Sequence, residues 1–252
     1  MNILVCVKRV PLTGGKIVLT DDERAISTRH LGFTVSPHEE CGAEEAVRLI
    51  ERHGGSSMVL TLGPPEAEEQ LRDMMAIGID RALHLLTGGE EWDPQATAAA
   101  IVDAIRARPD PYDLILFGNE SADAGNYQVA IRVAHKLGFP VVTGVKGIEV
   151  QDHGQLRLEQ EVPGGRDVYV VPTPAVVTVK EGLNLPRYPS VPGRLRAKKK
   201  PVDGASPARP QPQLEMDRLV LPPGSGKQAQ VLGSGADAAP AVVGMLDELG
   251  LL

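Results

Sequence analysis

Aromatic residues are scarce in this chain, three Phe, four Tyr and one Trp among 252 residues, so a core must be built from aliphatic side chains. There are only two cysteines, Cys6 and Cys41, and they form no metal-ligand spacing. That excludes a disulfide framework and fits a reducing compartment. An excess of basic residues is also missing. The formal net charge of −7 argues against a general nucleic-acid binder. No apolar run approaches the ~20 residues of a membrane span. The start, "MNILVCVKRV", is too short and too soon charged for a signal peptide. The expectation is a soluble, cytoplasmic protein.

Catalytic motifs are missing as well. The six histidines contain no i, i+4 pair to hold a metal, so no metal site is expected. "GSGKQ" (224–228) lacks the upstream glycine and the Ser/Thr of a phosphate loop, and it follows no strand. "GSGAD" (233–237) lacks the third glycine of the dinucleotide fingerprint. No Ser or Cys has a nearby His to activate it. The sequence therefore demands no bond-making active site.

What is present is a rhythm. "NILVCV" (2–7), "SMVLTL" (57–62), "RALHLL" (81–86) and "DLILFG" (113–118) are short apolar runs that read as buried parallel strands. Helical patterns separate them. One begins near Ser36 and stops at Gly54 and Gly55. One opens at Pro64 and Pro65 and stops at Gly78. One has Asp93 as N-cap and Pro94 in its first turn. One runs from Asn126 to its stop at Gly138. Alternating strands and helices predict an α/β fold with a mostly parallel sheet flanked by helices, of the doubly wound, nucleotide-binding type. From Val145 the rhythm changes, and four short strands, the last being "PAVVTV" (174–179), read as an antiparallel addition. Beyond "AKKK" (197–200), residues 201–235 are rich in Pro, Gly, Ser and Ala and read as an extended arm. A short amphipathic helix closes the chain. The expected division is an α/β domain over 1–200 and an arm with its helix over 201–252. The arm either docks on a partner or folds back on its own domain.

Ligands of an open α/β sheet sit beyond the carboxyl ends of its strands. Three segments meet there: "CVKRVP" after the first strand, "SPHEE" before the first helix, and residues 121–128 after the fourth strand. In the third segment Gly125 and the small Ser121, Ala122 and Ala124 allow close approach of backbone. Asp123, Asn126 and Gln128 add polar side chains. Helix-start amides near Asn126 would suit a phosphate. An ordinary cap by Asp123 or Asn126 accounts for the same residues. Lys8 and Arg9 could offset the acidic groups. On the residues alone both readings stay open.

Five blocks, taken together, carry a resemblance. "VCVKRVP", "SPHEECGAEEAVRL", "TLGPPEAEEQLRDMMAIGIDRALHL", "GNESADAGNYQV" and "PAVVTVKEGLNLPRYPSVPGRLRAKKK" follow in this order. They resemble the β subunit of electron-transfer flavoprotein, the FixA family, over about residues 1–200. The last block is the most specific.

The resemblance implies an electron carrier, not an enzyme: half of a heterodimer with an α subunit. It would take electrons from acyl-CoA or other flavin dehydrogenases and pass them to a quinone-linked or other acceptor. The redox FAD would be held mainly by the α subunit, with this chain forming one wall. This chain would bury a structural AMP, or a second FAD in bifurcating members. AMP is the expectation, because Tyr127 is bulky where such members tend to carry Gly-x-Thr. By the same resemblance, Cys6 and Val7 meet the adenine, and Leu62 packs on it. Ser36, Pro37, His38 and Glu39 line the nucleotide and the flavin-facing wall. Ser121, Asp123, Gly125, Asn126, Tyr127, Gln128 and Val129 wrap the phosphate, in a segment reaching Arg132.

The same resemblance makes "LPRYPSVPGRLRAKKK" a partner-recognition loop. Val191 would be its apolar tip on a stiff, Pro-rich turn, and Arg194, Arg196, Lys198, Lys199 and Lys200 would steer acidic partners. A stand-alone nucleotide-binding α/β protein of another class is the alternative. The missing glycine-rich ATP loop and the recognition block disfavour it.

Overall fold

A computed structural model describes residues 1–12, 14, 17–223 and 231–252. The 224–228 motif lies outside the described residues. Two compact units are present, Met1–Asp217 and Arg218–Leu252.

The first unit is built on a nine-stranded sheet. Its elements in chain order begin with β1 (Asn2–Cys6), a two-residue pair β2 (Val10–Pro11) and β3 (Phe33–Thr34), α1 (Pro37–His53) and β4 (Ser56–Gly63). Then come α2 (Glu68–Ile77), β5 (Arg81–Leu86), α3 (Pro94–Arg106), β6 (Leu114–Gly118) and α4 (Val129–Leu137). A meander β7 (Val141–Gln151), β8 (Gln155–Val162) and β9 (Gly165–Pro172) leads to β10 (Ala175–Val179), α5 (Val191–Ala197) and β11 (Val202–Ala205). The second unit contains α6 (Ala239–Glu248).

The sheet order is β11-β5-β4-β1-β6-β10-β7-β8-β9. Pairings from β11 through β7 are parallel, and β7-β8-β9 is antiparallel. The expected α/β fold with a mostly parallel, helix-flanked sheet and added antiparallel strands is what the chain adopts. Side chains alternate along each strand, as a period of two requires. Ile3, Val5 and Val7 join Leu114, Leu116 and Val177 in one core, against α1 and α2. Leu4 and Cys6 join Ile115, Phe117 and Val176 in the other, against α3 and α4.

Three expectations need correction. The run over 174–179 is not part of the antiparallel addition. As β10 it is inserted in parallel between β6 and β7. Its five residues are all buried, as befits a continuous apolar run covered on both faces. Residues 202–205, read as the start of the arm, form the edge strand β11 beside β5. The helix expected from Asn126 starts at Val129, with Gln128 at the N-cap position. Gly125 and Tyr127 both have positive φ, +56° and +55°, so the chain turns twice before it can wind into α4.

Candidate functional site

β1 lies between β4 and β6. The chain therefore runs outward from β1 through β4 to β5, then returns to the opposite flank of β1 as β6. This reversal is the topological switch point, and a crevice forms there beyond the strand ends. The loop after β1 and the loop after β6 face each other across it.

Three charged residues meet in the crevice. Lys8 Nζ sits 2.7 Å from Asp123 Oδ2 and 2.6 Å from Glu91 Oε1. Burial works against the Lys8 charge, but Glu91 and Asp123 outweigh it and hold the ammonium above its ordinary range. Burial would likewise raise the Asp123 carboxyl, and Lys8 overrides this and keeps it below the usual carboxylate range. So Lys8 does offset Asp123, as its place after β1 suggested. Arg9 goes elsewhere: its guanidinium stacks 3.2 Å above the Phe33 ring.

The start of α1 forms the second wall. Ser36 is its N-cap, and Pro37 stands at the first helical position. Glu39 reaches back so that Oε2 accepts the Ser36 N–H at 3.2 Å. Its other oxygen accepts the Lys8 N–H at 3.0 Å. Burial dominates these two donors and pushes the Glu39 carboxyl up to about 8. The Ser36 hydroxyl accepts the Ala122 N–H at 2.9 Å, tying the β6 loop to the start of α1.

Gly118 ends β6 directly against this wall. A Cβ there would stand 2.7 Å from Glu39 Cγ and 3.3 Å from His38 Cβ. The loop then folds on itself, with the Ser121 carbonyl accepting the Gly125 N–H at 3.1 Å. Gln128 Oε1 accepts from Arg132 Nε and Nη2 at 3.2 and 2.9 Å. Asn126 lies in the turn and Val129 opens α4; the Tyr127 ring is largely exposed. Cys6 is buried at the end of β1, and burial, then the nearby Glu39, pushes its thiol well up. Val7 has both backbone groups engaged on β4: its N–H donates to the Leu60 carbonyl and its carbonyl accepts the Thr61 hydroxyl, each at 2.9 Å. Leu62, near the end of β4, packs with the α3–α4 core.

The crevice thus brings together Ser36, Glu39, Lys8 and the 121–128 loop. Glu91 was missed by sequence reasoning. It comes from the loop after β5, and only its position beyond a strand end could have pointed to it. The same loop holds residues of the expected arm. Asp93 caps α3 through Oδ1, and its Oδ2 accepts the N–H groups of Gln213 and Leu214 at 2.7 and 2.9 Å.

The recognition segment lies apart from the crevice. Val191 is not at a loop tip but opens α5, whose N-cap Ser190 accepts the Gly193 N–H at 3.1 Å. Val191 is 73% exposed. Arg194 pairs with Asp73 at 3.0 Å, and Lys200 Nζ donates to the Ile79 carbonyl at 2.7 Å. Arg196, Lys198 and Lys199 make no ion pair among the described residues. A cleft of about 400 Å³ opens beside them between the end of α2 and α5, lined in part by Gly78, Tyr188, Arg196 and Lys200. Among the described residues no cluster of His, Cys, Asp or Glu could hold a metal ion, and no helix is long and apolar enough to cross a membrane.

An open, mostly parallel α/β sheet with its crevice at the switch between β1 and β6 defines a doubly wound protein of the nucleotide-binding type. Comparison with known proteins narrows this. Residues 25–210 match the family described as the electron transfer flavoprotein domain. The chain is 32% identical to the electron transfer flavoprotein subunit beta of Bacillus subtilis, over 98% of this chain and 97% of that one. It is 34% identical to the subunit of the same name from Syntrophomonas wolfei, over 88% and 86%. It is also 34% identical to the caffeyl-CoA reductase-Etf complex subunit CarD of Acetobacterium woodii, over 80% and 77%. The chain belongs to the electron transfer flavoprotein family, among its beta subunits.

Proposed function

We propose that this chain pairs with an α subunit and carries electrons in the cytoplasm from acyl-CoA or other flavin dehydrogenases to a quinone-linked or other acceptor. The arm beyond β11 docks on that α subunit. The chain binds no nucleic acid, does not enter a membrane and makes or breaks no bond of its own. The observation that carries this reading is the crevice at the β1–β6 switch, where Lys8, Ser36, Glu39 and the 121–128 loop converge.

The residues present suit a nucleotide. His38 Nδ1 is buried and has no hydrogen-bond partner among the described residues. Such an atom suits the polar edge of a ligand. The loop offers small side chains, and Lys8 offsets the Asp123 carboxylate at its mouth. AMP would lie against Cys6 and Val7 at the end of β1 and against Leu62, and would be held by Ser121, Asp123, Asn126 and Gln128. FAD would lie mainly on the α subunit, with Ser36–Glu39 as the wall on this side; when bound, it supplies all of the redox chemistry. This chain's residues bind, orient and exclude water.

A second reading places a second FAD where AMP would sit. One observation favours it: a 34% identical relative bears the name of a reductase-Etf complex subunit. The test is to co-express the chain with its α subunit, denature the purified pair and identify the nucleotides released. One AMP and one FAD per pair is the expected result. Two FAD would establish the second reading. Release of a single FAD and nothing else would overturn nucleotide binding by this chain.

A further inference from the structure

Residues 184–188 form neither helix nor strand, yet polar contacts fix them to the outer face of α1. Arg187 is the centre. Its Nε and Nη2 donate to the two oxygens of Glu44 at 2.9 and 3.1 Å, and its backbone N–H reaches Glu44 Oε2 at 3.1 Å. Its Nη1 and Nη2 donate to the two oxygens of Glu51 at 2.7 and 3.0 Å. Glu44 and Glu51 stand seven residues apart, two turns along one helix face. One planar guanidinium therefore spans both, which a lysine ammonium cannot do.

The clamp is reinforced on each side. The Glu44 side chain is only 1% exposed, and it also accepts from Arg48 Nε at 2.6 Å. Arg48 Nη2 donates in turn to the Leu185 carbonyl at 3.0 Å. Asn184 Nδ2 donates to the Cys41 carbonyl and to Glu45 Oε2, both at 3.0 Å. The apolar side chains in between are left outside: Leu185 is 84% exposed and Tyr188 96%. Farther on, α5 is pressed on α2, since a Cβ at Gly193 would stand 2.5 Å from the Ala76 carbonyl oxygen. This leaves Val191 and Leu195 exposed as well. Four large apolar side chains are thus displayed by a backbone fixed through ionic contacts.

We propose that Arg187 is a positioning residue for partner docking: through Glu44 and Glu51 it holds the Leu185–Tyr188 ledge on α1, ready to enter an apolar pocket on a donor flavoprotein. This rests on the docking reading given above. Its physical content is preorganisation. A ledge already ordered loses less freedom on docking than one that must be ordered at that moment.

The test uses the full heterodimer with α subunit and flavin. The donor is an acyl-CoA dehydrogenase reduced with butyryl-CoA. Arg187→Gln should raise the KM for this donor about tenfold, the equivalent of freezing one or two mobile side chains. The rate at saturating donor and flavin reduction by dithionite should be unchanged. Amides of residues 184–190 should exchange faster, while those of α1 keep their protection. Arg187→Lys should restore only part of the KM. Glu51→Gln opens only the exposed half of the clamp and covers the case in which Arg187→Gln fails to fold; it should raise the KM about two- to threefold. Val191→Asp is the control for the docking reading itself. If Val191→Asp raises the KM but the clamp variants speed amide exchange without changing it, the positioning role is wrong and docking stands. If none of the variants changes the KM, both are wrong.

Discussion

Gly118 offers the sharpest test of how the crevice is built. Its φ is not in the left-handed region, so the backbone does not require glycine there. Space does. A Cβ would lie 2.7 Å from Glu39 Cγ and 3.3 Å from both His38 Cβ and the Glu120 carbonyl oxygen. Carbon atoms prefer about 3.5–4.0 Å, so the first contact overlaps by roughly 1 Å. Glu39 cannot swing away, because its two oxygens accept from Lys8 and Ser36 backbone N–H groups and the side chain is buried. Gly118→Ala must therefore push the start of α1 off the end of β6. Overpacking of this kind costs about 1–3 kcal/mol. For a chain of this size that lowers the melting temperature by about 2–12 °C. Gly165→Ala is the control, since nothing lies within 4 Å of its added carbon. Thermal unfolding of the two variants in the purified heterodimer, with nucleotide content measured alongside, makes the comparison. Gly118→Ala should melt lower and retain less nucleotide. Melting and nucleotide content equal to those of the parent would refute the tight seating of Glu39 against β6.

Other substitutions test the rest. Replacing Asp123 and Gln128 together by Ala should loosen the nucleotide of this chain, each lost hydrogen bond costing about 0.5–1.5 kcal/mol; nucleotide retained in full through gel filtration would remove the loop from the site. The Glu39 carboxyl, pushed by burial from 4.5 up to about 8, keeps its proton in the folded state where the unfolded chain has released it. Its contribution to stability therefore falls as pH rises from about 4.5 to 8, with a slope of up to about 1.4 kcal/mol per pH unit. Glu39→Gln should flatten that slope in urea midpoints measured between pH 5 and 8, and an unaltered slope would show that the carboxyl ionises normally. Val191→Ala should raise the KM for a reduced acyl-CoA dehydrogenase by up to ~30-fold, from roughly 1–2 kcal/mol of lost apolar contact. Neutralising Lys198 and Lys199 should instead slow association, and raising the salt should shrink the defect; a defect that salt does not change would speak against steering.

The parallel core was legible because each of its strands is a continuous apolar run, and such runs mark strands covered on both faces. The same rule should have placed 174–179 in the core. Its position after three alternating strands masked it. β11 was not legible: "VDGA" has neither length nor apolar content, and it is a strand only because β5 offers an open edge. The start of α4 was set too early because Asn126 looks like a cap, whereas positive φ at Gly125 and Tyr127 delays the helix. At the crevice, the pairing of Lys8 with Asp123 could be anticipated, since both follow strands that the topology sets side by side. Glu91 and Arg187 could not. Arg187 acts on Glu44 and Glu51, 143 and 136 residues earlier, and nothing local in "LPRYP" signals a partner at that distance.

These long-range contacts give α1 two duties on one rod. Its first turn supplies the Ser36 and Glu39 wall of the crevice. Its middle and last turns carry the Glu44 and Glu51 oxygens that hold the docking ledge. At 1.5 Å per residue, the clamp starts only about 8 Å along the axis from Glu39 and ends about 18 Å from it. The rod is seated closely on the sheet at Gly42, where an added carbon would touch Val179 of β10 at 3.4 Å and Leu116 of β6 and Val5 of β1 at 3.9 Å. The three strands meeting it there include the pair that forms the switch point. A partner that engages the ledge is thereby registered against the same strands that end at the crevice.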